Sequence, residues 1–136
     1  MARIGKLVLA GAVVVLVVLG LGYAWGASGR GTLQAALTDA QQRLDVAEAR
    51  GHILDARVSL YNVNFGDASR RFEDAKEPLR RIRQRYADAG STDAVRSVSA
   101  ALEHLDEAQR LAGKLDAAAN SKAGEALEAI KVAIVK

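Results

Sequence analysis

The chain has 136 residues, half of them apolar, with 4% aromatics, one proline, no cysteine and a net charge of +3. That length suits one domain plus an appendage, and the scarcity of aromatics argues for helices over a sandwich or barrel. Disulfides, thiol catalysis and thiolate metal sites are excluded, and so is a general basic coat for nucleic acid.

Residues 1–6 form a short basic tail with Arg3 and Lys6. Residues 7–25, LVLAGAVVVLVVLGLGYAW, carry no charge. As a helix, such a run reaches across the roughly 30 Å hydrocarbon core of a bilayer. Tyr23 and Trp25 close it as interface anchors, where amphipathic rings favour the lipid–water boundary. The expectation is an uncleaved signal anchor that spans the membrane once. The competing reading is cleavage near Ala24-Trp25-Gly26, but the apolar run exceeds the core of an ordinary signal peptide. The basic flank places the N-terminus in the cytoplasm of a bacterial cell and the rest at the periplasmic face of the inner membrane. Gly22 and Gly26 form a GxxxG pair, a candidate for close packing of membrane helices.

Residues 26–32, GASGRGT, read as a glycine-rich flexible linker. Without a lysine after Gly31, and with no preceding strand, they do not form a phosphate loop.

Residues 33–136 are expected to be an all-α, antiparallel helical bundle. A first apolar stripe runs Leu33, Leu37, Ala40, Leu44, Ala47, Gly51, Leu54, Val58, Tyr61. Its alternating steps of four and three make a heptad, coiled-coil-like seam on one long helix, taken as the face that packs inward. A second stripe runs Ala68, Phe72, Ala75, Leu79, Ile82, Tyr86, Ala89 in the same steps. Pro78 falls inside that helix, and Gly90 suits the left-handed stop after it. Ser91 to Asp93 can cap a third helix carrying Val95, Val98, Leu102, Leu105, Ala108, Ala112 and Leu115. Asn120-Ser121 signals a short fourth, with Leu127, Ile130 and Ile134 on one side. Short connections make the helices antiparallel neighbours.

The joint NFGDASRRFEDA resembles the second-helix half of a tetratricopeptide repeat. Ala68, Phe72 and Ala75 match its small–aromatic–small packing positions, Phe65 its turn aromatic, and Ala56 a small residue of the first helix. His52, Ser59 and Pro78 depart from the pattern. The likeness covers about one repeat, residues 52–80. It implies a nested helical hairpin packed through Tyr61, Phe65, Ala68, Phe72 and Ala75, without the array that makes a peptide groove.

Two groups of residues have chemical potential. Glu48, His52 and Asp55 lie three or four apart on one helix, as do His104 and Glu107 on another. Such spacing can bind iron or zinc in a bundle, but neither histidine has a glutamate three before it, and these residues lie beside the apolar seam. They read as a solvated face. In LRRIRQR, residues 79–85, Arg80, Arg81, Arg83 and Arg85 fan over the surface beside Leu79 and Ile82. They read either as a solvated face, with ion pairs to Glu73, Asp74 or Glu77, or as an anion site for an acidic protein or a lipid headgroup.

The expected function is non-catalytic: a membrane-anchored adaptor or accessory subunit that binds a protein partner or itself. No cofactor, metal or nucleic acid is expected. The alternatives are a metal-binding or enzymatic bundle using Glu48, His52, His104 and Glu107, and a binder of anionic lipid surfaces.

Overall fold

The computed structural model describes the backbone of residues 2–135 and the side chains of residues 15, 17 and 31–134. Four helices follow in order: α1 (Ala2–Tyr61), α2 (Phe65–Asp88), α3 (Thr92–Gly113) and α4 (Ala119–Val135). No strand occurs among the described residues. The all-helical expectation is met.

The chain divides into two compact units, Met1–Ala40 and Gln41–Lys136. In the first unit, residues 26–32 are helical and belong to α1. The expected flexible linker is therefore a correction. Three glycines weaken a helix by about 1 kcal/mol each, but no proline breaks the backbone ladder there. The apolar run 7–25, with Gly22, Tyr23, Trp25 and nearby Gly26, lies outside the described side chains, Val15 and Val17 apart. Among the described residues no helix is long and apolar enough to cross a membrane.

The second unit is an up–down bundle closed on itself. On α1, Ser59 donates to Asp67 of α2 and Arg57 donates to Asn120 of α4. Lys76 of α2 meets Asp106 of α3, and His104 of α3 meets Glu125 of α4. Each helix thus touches the next, and the fourth returns to the first. The core follows heptad spacing on every helix: Ala49, Ile53, Ala56, Leu60; Ala68, Phe72, Ala75, Leu79, Ile82; Ala94, Val98, Ala101, Leu105, Ala108, Ala112; Ala119, Ala123, Ala126, Ile130, Ala133. Alanine dominates these lists, so the helices can pack close, and each side chain contributes little burial. Phe72, fully buried, is the largest side chain in the core.

The turns share one device. Asn64 N–H donates to Ser59 O and Val63 N–H to Leu60 O, a Schellman motif with Val63 in the left-handed conformation, φ 58°. The same pair of bonds ends α2 around Gly90, φ 72°, and α3 around Leu115, φ 58°. Gly90 takes the conformation its sequence position predicts. Val63 and Leu115 adopt one that crowds their Cβ atoms. The Asn64 side chain caps α2 by accepting from Asp67 N–H. α4 begins at Ala119, and Asn120 is not its cap: the Asp116 carboxylate accepts from Ala118 N–H just before the helix.

The inward face of α1 is not the expected one. Leu44, Leu54, Val58 and Tyr61 are 68%, 48%, 57% and 71% exposed, whereas Ala49, Ile53 and Ala56 are wholly buried. Leu33 and Leu37 are exposed as well. The face that enters the bundle is the one carrying Val46, Ala49, Ile53, Ala56 and Leu60. On α3, Leu115 is 70% exposed beyond the helix end. Ala94 and Ala101 fill the core positions instead.

Candidate interaction site

α1 of the bundle presents two apolar stripes with the same period. One turns in, through Val46, Ala49, Ile53, Ala56 and Leu60. The other, Leu44, Ala47, Gly51, Leu54, Val58 and Tyr61, is exposed throughout. On a helix wheel the two stripes are centred on opposite sides. Tyr61, expected to pack the hairpin, stands at the outer end of the exposed stripe, its hydroxyl accepting from Asn120 Nδ2 at 3.2 Å. Phe65 is half-buried, and Ala68, Phe72 and Ala75 are fully buried.

The arginine cluster divides. Arg81 Nη2 and Arg85 Nη1 reach the two carboxylate oxygens of Asp45, at 2.8 and 2.5 Å. Arg81 also meets Glu48 at 3.0 Å and Glu77 at 3.7 Å. Asp45 is 6% exposed on the inner side of α1. Burial pushes its carboxyl up, but the hydrogen bonds and charges of Arg81 and Arg85 outweigh that and hold it below its ordinary value of 3.8. These two arginines are therefore parts of the α1–α2 contact. Arg80 lies near Glu73 and Glu77 at 3.8 and 3.7 Å. Arg83 is exposed and makes no ion pair among the described residues.

A second polar clamp, unforeseen in the sequence, joins α2 to α3. Lys76 is only 4% exposed. Its ammonium meets Glu73 at 2.9 Å, Asp106 at 2.6 Å and Gln109 Oε1 at 2.5 Å. Three acceptors satisfy its three donors, which a buried lysine needs. The bond from Lys76 holds the Glu73 carboxyl below its ordinary range.

The histidines stand apart in role. His52 lies 4.0 Å from Glu48 and its Nδ1 is buried without a hydrogen-bond partner. His104 Nδ1 meets Glu125 at 3.2 Å. Glu107 is engaged by Arg110, whose hydrogen bond lowers its pKa. Among the described residues no three His, Asp or Glu side chains are placed to hold a metal ion. An open polar cleft of about 480 Å³ is lined by Gln42, Tyr86, Ser91, Thr92 and Ala133 among others. Tyr86 bridges it by accepting from Gln42 and donating to the Ala133 carbonyl, at 2.9 and 3.3 Å. Burial raises the Tyr86 pKa, and the bond from Gln42 offsets part of that.

The chain matches no known family, no characterised protein and no solved structure.

Proposed function

We propose that this chain is a membrane-anchored, non-catalytic helical adaptor or accessory subunit that works by binding protein at the periplasmic face of a bacterial inner membrane. One observation carries the binding role: residues 44–61 of α1 serve the bundle with one face and leave a second apolar stripe in solvent. A bundle that needs only to fold has no use for that second stripe, and a contiguous exposed apolar surface marks a contact site. The anchoring role is supported by the charge-free run 7–25 behind Arg3 and Lys6. Within this reading the tetratricopeptide-like hairpin at 52–80 is a packing unit, which the burial of Ala68, Phe72 and Ala75 supports. Arg83 is the member of the arginine cluster left to meet an anionic surface.

Alkaline extraction of membranes, followed by photocrosslinking, tests both parts. The full chain stays in the membrane pellet, and deletion of residues 7–25 releases it. A photoreactive side chain at Val58 forms protein adducts, and one at the exposed Glu103 of α3 does not. Release of the full chain by alkali would overturn the anchor. Equal labelling from both positions would overturn the binding face.

A further inference from the structure

The outer stripe of α1 also carries information about its partner, in the charges that flank it. With Leu44, Gly51 and Val58 at a, positions d are Ala47, Leu54 and Tyr61. The g positions are then Arg43, Arg50 and Arg57, and the e positions include Glu48 and Asp55. One flank is basic and the other acidic. In sequence the same register continues upstream through Ala40, Leu37 and Leu33.

The geometry points to a second copy of this chain as the occupant, paired parallel and in register through α1. This deepens the protein-binding reading and rests on it. In a parallel two-stranded coiled coil, g of one helix faces e of the next heptad on its partner, five residues on. Arg50 then meets the partner copy's aspartate at 55, twice by symmetry, and Arg43 faces its glutamate at 48, which also pairs with Arg81 of its own chain. In an antiparallel pair g faces g and e faces e, so arginine opposes arginine and acid opposes acid. The charge pattern is therefore self-complementary in the parallel direction and self-repelling in the antiparallel one.

Several features of the single chain fit this pairing. Arg50 and Asp55 are exposed and make no ion pair among the described residues. The bundle contacts of α1 lie opposite the seam: Asp45 meets α2, and Ala49, Ile53 and Ala56 enter the core. A two-fold axis along the seam thus carries the two bundles outward on opposite sides. Gly51 faces open space, with nothing within 4 Å of where a Cβ would be. With Ala47 four residues before it, it lets two backbones approach closely along the seam. A seam with alanine and glycine among its core positions pairs weakly by itself, and confinement to one membrane raises the effective concentration of the copies.

The chain has no cysteine, so single substitutions report cleanly. In membranes holding the full-length chain, Leu44→Cys and Val58→Cys should each oxidise to a disulfide-linked homodimer, and Glu103→Cys should not. Arg50→Glu in the Val58→Cys background should weaken self-association about tenfold, because two attractive contacts become repulsive. Adding Asp55→Arg restores opposite charges across the pair and should restore the crosslink. Circular dichroism should be unchanged by either swap, because neither side chain has an ion-pair partner among the described residues of the single chain. A disulfide between a Leu44→Cys chain and a Val58→Cys chain, with none between identical chains, would overturn the parallel register. Failure of the double swap to restore pairing would overturn the charge assignment. Heterologous adducts at Val58 in place of homodimers would reject self-pairing and leave the adaptor role standing. Chains that form no adduct of either kind would overturn both.

Discussion

The second helix and the bundle part of the first are built from the same period and yield to sequence reading very differently. On α2 one apolar stripe exists, and Ala68, Phe72, Ala75, Leu79 and Ile82 are the residues that become buried. On α1 two stripes exist: the one with Leu44, Leu54, Val58 and Tyr61 is left outside, and the one with Ala49, Ile53, Ala56 and Leu60 is buried. Period alone does not say which of two such faces enters the core. Under the proposed function, the second stripe of α1 is the one that meets a partner.

The largest effect expected belongs to α2. Phe72→Ala removes the one aromatic ring fully buried among the described residues, in an alanine-rich core, and should cost about 3–4 kcal/mol in a denaturant melt. A loss below about 1 kcal/mol would mean that the bundle collapses onto the hole, and that α2 is no better defined than α1.

Next comes the contact between the two helices. Asp45→Asn keeps the shape and removes the charge that Arg81 and Arg85 share, and should cost about 2 kcal/mol near neutral pH. Because the folded carboxyl titrates below its ordinary value of 3.8, its stabilisation is complete above that value. It is lost as pH falls through the lower folded value. The variant should therefore match the parent in strong acid and diverge from it as pH rises to about 5, in melts taken across that range. Parallel curves at every pH would show that the Asp45 charge does not join the helices.

This contact shows how far the sequence could have been read. Asp45 and Arg81 each lie 18 residues from Val63, the hinge of the α1–α2 turn, and Ser59 and Asp67 each lie four from it. An antiparallel hairpin folded at 63 places both pairs opposite one another, as observed. The signal was present but needed the turn's position, and the usual reading of a charge as solvated hid it. Lys76 was hidden for the same reason, since its acceptors Asp106 and Gln109 come from another helix. The small-residue stripes of α3 and α4 were only partly legible. Val95 and Leu115 stand out by size, yet Ala94 and Ala101 fit the close approach. Pattern and turn chemistry were legible where a single stripe or a glycine left one solution, as at Ala68–Ile82 and Gly90.

Smaller effects sharpen the contrast between turns. Val63→Gly relieves a β-branched residue from the left-handed conformation that Gly90 occupies without strain, and should stabilise by about 0.5–1 kcal/mol. A loss on that substitution would mean that the turn uses the Val63 side chain. Smallest of all, Arg83→Gln should change stability by less than about 0.5 kcal/mol, against a clear loss for Arg81→Gln. Equal losses would merge the two halves of the arginine cluster.

Two neighbouring residues of α1 separate its core face from its proposed partner face. Ile53 is fully buried and Leu54 is 48% exposed. Thermal unfolding of Ile53→Ala and Leu54→Ala full-length chains, each at low and high protein concentration, separates folding from association. Ile53→Ala should lower Tm by a similar amount at both concentrations, the mark of a core cavity. Leu54→Ala should leave Tm unchanged at low concentration and lower it only at high concentration. Equal, concentration-independent losses for the two variants would contradict a separate partner face.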